Sequence, residues 1–430
     1  MVKIQLTTQG CSANLRESEL MAGLLERSGH HVEHTNGHID ASDVHIVNIC
    51  TVKKDNTPLH EIKRIKKLNP NAKIIAAGCI TDSIVPKIKQ LDSSISLVNT
   101  HNFGKISAVV EQSLLGSTVE LLDKKYELKV DVPSLRKNPV IGIVPILNGC
   151  NYFCTFCSTK LVKGKLFSYP MDSIRNDVKA HLQAGCKEIW ITSNDTGAYM
   201  VEQGGKQKIV ELLEMILSIP MDFKVRVGMM NPGNTLTVLD KLLKVYKHPK
   251  MFKFLHIPLQ AGNNDVLKGM NRQYTVEDFM KIVEAFRKEL PDITLSTDII
   301  VGFPGETGEQ FQDTLHIVKN VEFDVVNISR YSAREGTKAA TLRQIPSWRV
   351  KERSRALTKL QETISAKRNK KWLGWEGSVL IDEKGKDGTW IGRNHAYKPV
   401  VVNGDFNLGD VVNVTIEETT GYDLRGFVVF

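Results

Sequence analysis

"IGIVPILNGCNYFCTFC", residues 141–157, runs from an apolar, strand-like stretch directly into three cysteines spaced C-x3-C-x2-C. Three thiols are one too few for a closed zinc site and one too many for a disulfide. If the apolar run opens a domain of alternating strands and helices, the thiols stand at its carboxyl end, where such domains place their chemistry. Thiolates at this spacing suit an iron–sulfur cluster with one iron left open; on spacing alone, zinc with a fourth ligand from elsewhere competes.

Working outward, the alternation repeats. Strands are predicted at 141–147, 188–192, 224–228, 252–257, 294–301 and 324–330, with helices between them, for example at 171–184 and 306–319. Six such units imply a partial (β/α)6 barrel within 140–345. Upstream, strands at 2–8, 44–49 and 73–77 and helices at 16–28 and 58–68 make 1–125 an open parallel-sheet domain. A charged, irregular stretch at 123–139 reads as the linker. Beyond the barrel, 346–372 is a basic linker helix, and 373–430 carries short alternating runs punctuated by "DEKGKDG", "NGDFNLGD" and "TGYDLRG", which suits a small OB-like β-barrel. The fold class is therefore α/β, with an open parallel sheet, a partial barrel and a small β-barrel in that order.

The N-terminal domain holds a second set of thiols. Cys11 follows the first predicted strand, Cys50 the 44–49 strand and Cys79 the 73–77 strand. Carboxyl ends of parallel strands converge, so these three can meet although far apart in the chain. They form a second three-thiolate site; three buried core residues are the alternative. Cys186 has no partner triad and reads as a small core residue.

Composition places the chain among ordinary water-soluble proteins: 430 residues, 41% hydrophobic, 24% charged. No stretch has the length of a transmembrane helix, the first residues read as a strand instead of a signal peptide, and the chain ends without an apolar tail. A cytoplasmic location with reduced thiols and no membrane partner is the expectation. Of the net charge of +9, +7 falls at 348–372. Helical spacing lets this be a solvated face, but such concentration favours a phosphate-tracking surface, with Arg349, Arg353, Lys367 and Arg368 as candidates. Lys241, Lys244, Lys247, Lys250 and Lys253 are taken as a solvated face.

In motif after motif the sequence resembles a known family. "GCNYFCTFC" is similar to the radical S-adenosylmethionine signature, and "TQGCSANLRESE", "NICTVK" and "AAGCI" resemble the N-terminal domain of the methylthiotransferases. "HIPLQAGNNDVLKGMNRQYT", "STDIIVGFPGET", "YSAREGT" and, in a C-terminal stretch similar to the TRAM module, "GRNHAYKPVVV" extend the match in order. "KLVKGKLFSYP" and "GCKEIWITSNDTGAY" resemble the archaeal and eukaryotic branch, which acts on N6-threonylcarbamoyladenosine next to the tRNA anticodon.

The resemblance implies two [4Fe-4S] clusters, one on Cys150, Cys154 and Cys157 and one on Cys11, Cys50 and Cys79, with S-adenosyl-L-methionine as cofactor. It implies tRNA, an electron donor such as a ferredoxin or flavodoxin, and a sulfur source as partners. For S-adenosylmethionine it points to Phe156, Asn194, Asp195, Arg226, Gln260, Ser296, Asp298 and Gly302. Packing for Phe156, turn formation for Asn194 and Asp195, and tight turns for Gly302 and Gly305 compete. Arg334, Arg393, Lys398 and Arg425 join the helix as RNA candidates. No residue is singled out as catalytic in its own right. Two departures stand out: Met200 occupies a position where the branch continues with Gly and an acid, and from Gly374 onward five Lys or Arg face nine Asp or Glu. Rival readings are a family member acting on isopentenyladenosine in tRNA, one acting on an aspartate of a ribosomal protein, and a non-catalytic metal-containing RNA-binding protein.

Overall fold

The computed structural model describes residues 1–35, 37–50 and 56–429. Its first layer is a parallel sheet of β1 (Lys3–Thr8), β2 (His31–His34), β3 (Val44–Ile49), β4 (Lys73–Gly78), β5 (Ser96–Asn99) and β6 (Glu120–Leu121), in the order β2-β1-β3-β4-β5-β6. The inner strands are buried on both faces because helices cover both, and β3 is buried throughout, His45 and Asn48 included. On one face lie α1 (Ser12–Arg27) and α4 (Ile106–Leu114); α2 (Asn56–Leu68) and α3 (Val85–Leu91) cover the other. The last three residues of "NICTVK" lie outside the described residues.

The second unit is an open barrel of six parallel strands. A first half runs β11-β10-β7 and a second β12-β13-β14, from β7 (Ile141–Pro145), β10 (Glu188–Thr192), β11 (Lys224–Val227), β12 (Phe254–His256), β13 (Thr294–Val301) and β14 (Val325–Arg330). A small hairpin, β8 (Leu147–Asn148) with β9 (Phe167–Ser168), follows β7. The two halves join where Phe252 N–H donates to Val225 O (3.0 Å), while Phe254 pairs with Thr294. The run predicted at 252–257 is therefore shared between two neighbours, and only three of its residues form a ladder strand.

Helices α5 (Thr159–Lys163), α6 (Met171–Gln183), α7 (Ile209–Leu217), α8 (Pro232–Leu236), α9 (Leu239–Tyr246), α10 (Asn264–Gly269), α11 (Val276–Glu289) and α12 (Gly308–Val321) surround the strands. Capping boxes at Thr275/Asp278 and Thr307/Gln310 fix the starts of α11 and α12. Outward residues such as Ile189, Ile191, Val225, Leu255 and Leu295 pack with α6, α7, α9 and α11 into the main core. The alternate residues Glu188, Trp190, Arg226, Phe254 and His256 line the interior, as period-two strands require.

The basic stretch forms one helix, α13 (Ser347–Lys370), about 36 Å long at 1.5 Å per residue. It descends the outside of the barrel. Val350 packs over Gly302 at the carboxyl end of β13, and Ser365 Oγ donates to Asp324 O (3.0 Å) at the amino end of β14. A Cβ on Gly302 would lie 2.6 Å from Val350 Cγ2, so glycine is required there for the helix to approach.

At the bottom of α13 a closed barrel, β15-β16-β17-β19-β18, is docked against the amino ends of the six strands. It consists of β15 (Glu376–Lys384), β16 (Trp390–Arg393), β17 (Pro399–Val402), β18 (Val411–Thr419) and β19 (Leu424–Val428). Tyr397 projects from it into the barrel mouth, its ring 4.8 Å from Phe252, 5.2 Å from Phe254 and 5.2 Å from the Arg226 guanidinium carbon. Among the described residues no helix is long and apolar enough to cross a membrane.

Candidate active site

The loop that carries Cys150, Cys154 and Cys157 leaves the hairpin at Gly149, whose φ of +78° and absence of a Cβ let it cross Lys165; a Cβ would sit 1.9 Å from Lys165 O. The thiols are neither exposed nor sealed. Cys154 Sγ lies 3.2 Å from Arg272 Nη1, and Tyr152 N–H approaches Cys150 Sγ at 3.4 Å. Burial pushes the Cys150 thiol up to about 11; it also raises Cys154, opposed by Arg272. Such thiols ionise only when a positive centre takes them. Arg272, held over the Tyr274 ring at 5.0 Å, supplies a fixed cation for an anionic group on the triad.

The second triad rises from the N-terminal sheet. Cys11 caps α1 without a side-chain cap, and Cys50 and Cys79 are buried just beyond β3 and β4. Asn14 links them: Cys11 Sγ is 3.4 Å from its Oδ1, and its Nδ2 is 3.8 Å from Cys79 Sγ. Gly10 (φ +114°) closes the cradle, since a Cβ there would lie 2.7 Å from Cys50 Sγ. Among the described residues no three His, Cys, Asp or Glu side chains close on one ion. Each donor set consists of thiols alone, soft ligands of the kind that hold an iron–sulfur cluster.

The two domains touch beside the triads. Ser12 Oγ, next to Cys11, meets Thr192 Oγ1 (2.7 Å) at the end of β10, and Arg16 of α1 makes a buried two-pronged pair with Asp177 of α6 (2.7 and 2.9 Å). Between the domains lies a cavity of about 20 Å³, room for one water. Arg16 Nε, Glu17 Oε2 and Tyr169 OH, from three of its lining residues, are buried without partners. Beside it Glu17 Oε1 accepts from Lys129 (2.6 Å) and Lys163 (2.5 Å).

The residues singled out for S-adenosylmethionine divide. Asp195 is 3% exposed and accepts from Gly197 N–H, Asn231 N–H and Asn234 Nδ2, tying β10 to the turn after β11. Asn194 faces the small interdomain cavity. Phe156 is half-buried against the small apolar cluster that contains Met270, Tyr274 and Phe303. Arg226 lies inside the barrel with Trp190 and Phe254 both 4.9 Å away, and its Nε has no hydrogen-bond partner. Gln260 holds φ +67° at the carboxyl rim, its Oε1 buried and unpartnered. Ser296 is buried on β13. Asp298, further along it, accepts from Asn327 Nδ2 (2.9 Å) and pairs with His256 Nε2 (2.8 Å). Gly302 turns toward α13, and a Cβ on Gly305 would meet open space. Met200 has φ +65°, the left-handed region in which glycine costs least.

The RNA candidates divide as well. Arg353 is buried against Glu306, Arg368 and Lys398 share Asp324, and Arg393 pairs with Asp382. Lys367 pairs with Glu322 at the surface and Arg425 with Asp423 and Glu418. Arg349 is exposed beside the Trp348 ring, and Arg334 is half-buried. The exposed face of α13 carries Trp348, Arg349, Lys351, Arg355, Lys359, Lys367 and Lys370, with Glu352 and Glu362 among them. His256, Arg272, Glu17, Lys129 and Lys163 were not singled out from sequence. Glu17 lies inside the quoted motif "TQGCSANLRESE", Lys163 inside "KLVKGKLFSYP", and His256 and Arg272 inside "HIPLQAGNNDVLKGMNRQYT", the signal that marks these four; Lys129 has none.

Comparison with known proteins gives the same layout. Residues 144–318 match the model of the Radical SAM superfamily, 3–99 that of Uncharacterized protein family UPF0004, and 373–429 that of the TRAM domain. A probable threonylcarbamoyladenosine tRNA methylthiotransferase of Pyrococcus abyssi is 40% identical over 96% of this chain and 98% of its own. The threonylcarbamoyladenosine tRNA methylthiotransferase of Homo sapiens is 36% identical over 99% of this chain and 73% of its own. Among solved structures, the radical S-adenosylmethionine methyltransferase TsrM of Kitasatospora setae, with cobalamin and a [4Fe-4S] cluster bound, superposes with a TM-score of 0.55. It is 13% identical over 79% of this chain and 73% of that one, a likeness of fold.

Proposed function

The chain belongs to the threonylcarbamoyladenosine tRNA methylthiotransferase family, and on that premise we propose that it replaces the C2 hydrogen of N6-threonylcarbamoyladenosine, 3′ of the tRNA anticodon, with a methylthio group. It is a radical S-adenosylmethionine enzyme, and that chemistry calls for S-adenosylmethionine and a [4Fe-4S] cluster. Cys150, Cys154 and Cys157 would hold the cluster, and Cys11, Cys50 and Cys79 a second one. When bound, the first supplies the electron that cleaves the sulfonium of S-adenosylmethionine and the second the sulfur to be inserted. The observation that supports this reading is that Ser12, next to Cys11, touches Thr192 at the carboxyl end of β10, which brings the N-terminal thiols to the end of the barrel from which the Cys150 loop also leaves.

The chain's own residues bind, orient and shield. Arg272 offsets charge at Cys154. The His256–Asp298–Asn327 row and the unpartnered Oε1 of Gln260 offer donors and acceptors to the polar groups of S-adenosylmethionine at the carboxyl rim. Ser296, Asn194, Asp195 and the Phe156 backbone border the same rim, and Arg226 closes its floor. Gly302 serves by letting α13 pack. On the outside, the cations of α13 lead from this rim down the barrel and suit the phosphates of an RNA stem. An electron donor such as a ferredoxin or flavodoxin and a sulfur source complete the cycle.

The test is nucleoside mass spectrometry. Reconstituted protein, S-adenosylmethionine and dithionite are incubated anaerobically with tRNA carrying either N6-threonylcarbamoyladenosine or isopentenyladenosine. Gain of a methylthio group on the threonylcarbamoyl base alone is expected. Reaction of the isopentenyl base instead, or 5′-deoxyadenosine without any modified base, would sink the substrate assignment.

A further inference from the structure

A charge imbalance is buried behind the N-terminal triad. Lys163 and Lys129, each 4% exposed, share one carboxylate oxygen, Glu17 Oε1, and one hydroxyl, Thr100 Oγ1 (2.6 and 2.7 Å). Two ammonium groups against one carboxylate leave one positive charge over. Arg16 does not alter the sum, because Asp177 neutralises it, and Glu127, the next acid facing Lys129, is half-buried and turned to Gly104 N–H (3.4 Å). A surplus charge is expensive in a low-dielectric interior unless an opposite one shares it. Thr100 N–H donates to Gly78 O (2.8 Å), the carbonyl next to Cys79, and Ala13, two residues past Cys11, lines the same cavity as Lys163, so the surplus charge stands beside the thiols of Cys79 and Cys11.

Where the lysine comes from matters. Glu17 and Thr100 belong to the N-terminal domain, but Lys163 ends α5, six residues past Cys157 in the other triad's own loop. We infer that Lys163, with Lys129 beside it, is a positioning residue for charge: it supplies the counter-charge to an iron–sulfur group on Cys11, Cys50 and Cys79 and raises that group's reduction potential. The inference rests on the second-cluster reading above. Three thiolates make such a group anionic and each added electron makes it more so, so a fixed buried cation favours the reduced form. Because the cation is delivered by the barrel, the group has this potential only when the two domains are docked.

The experiment uses the full chain with Cys150, Cys154 and Cys157 replaced by alanine, reconstituted, assayed for iron and titrated with dithionite under electron paramagnetic resonance. In that background Lys163→Met lowers the midpoint potential by at least about 59 mV, a tenfold change in the oxidised-to-reduced ratio. Lys163→Arg keeps most of the potential. Glu17→Gln, which enlarges the surplus, moves it upward. The opposite signs separate electrostatics from damage, since damage moves both variants the same way. An unchanged potential in Lys163→Met, or shifts of one sign in both, overturns the inference. If Lys163→Met loses its iron, Lys129→Met removes the same charge from the other side of Glu17 and carries the test. A cysteine-replaced parent with no iron overturns the second-cluster reading itself, told apart by the iron count alone.

Discussion

Arg272 is the residue on which the triad of Cys150, Cys154 and Cys157 leans most. Its Nη1 is 3.2 Å from Cys154 Sγ, and the Cys154 thiol is buried enough to resist ionising unaided. A hydrogen bond to a charged group contributes about 1.5–3 kcal/mol. Arg272→Met is therefore expected to weaken cluster retention by roughly ten- to a hundredfold, measured as iron remaining against a chelator series; retention equal to the parent would refute the role. Arg272 was not legible as such in the sequence. A quoted motif contains it but says nothing of its role, because the partner that gives it meaning is 118 positions away. The thiols were legible, since strand ends and spacing are local signals. Asp195 shows the reverse case: a polar residue at a strand end is visible in sequence, but not that three donors already occupy its oxygens.

At the scale of the element, α13 separates two kinds of basic residue that look alike in sequence. Arg353 is buried on Glu306, whereas Arg355 and Lys359 face solvent. Breaking a buried pair by removing one partner costs about 3–5 kcal/mol. Arg353→Met should thus lower the unfolding free energy by about that amount in a denaturant titration and leave the salt slope of tRNA binding unchanged. Arg355→Met and Lys359→Met should change stability by less than about 0.5 kcal/mol. Each should reduce the slope of log affinity against log salt by about one. A parent-like slope in both would remove α13 from the RNA surface. The helix itself was legible from its charge and spacing. Which cations were spent was not, because the carboxylates that take them, Glu306, Glu322 and Asp324, lie on other elements.

For the whole molecule, the order of parallel sheet, open barrel and small closed barrel was readable from the period of apolar runs; the docking between them was not. The seam below the six strands is built on acids. Glu188 is fully buried near Asp382 and Arg393, and burial followed by the charge of Asp382 pushes its carboxyl up to about 7. The unfolded chain releases that proton near 4.5 and the folded chain near 7. In this window the folded state binds more protons, so stability falls as pH rises through it and levels off above. At 1.36 kcal/mol per unit the loss is about 3 kcal/mol. Glu188→Gln should abolish this decline, checked by thermal unfolding across that range; an unchanged pH profile would count against it.

The ring of Tyr397 in the barrel mouth has a consequence for the order of events. With Tyr397 and Arg226 standing across the floor, a small molecule inside the barrel is expected to leave by the carboxyl rim. An RNA lying across the carboxyl rim would cover the door through which that molecule entered. S-adenosylmethionine must then arrive first, and its spent fragments leave only after the tRNA has gone. Kinetically the enzyme is a queue with one entrance. Product inhibition by 5′-deoxyadenosine should accordingly be competitive with S-adenosylmethionine and not with tRNA, while Tyr397→Ala, which unblocks the floor, should blur that pattern.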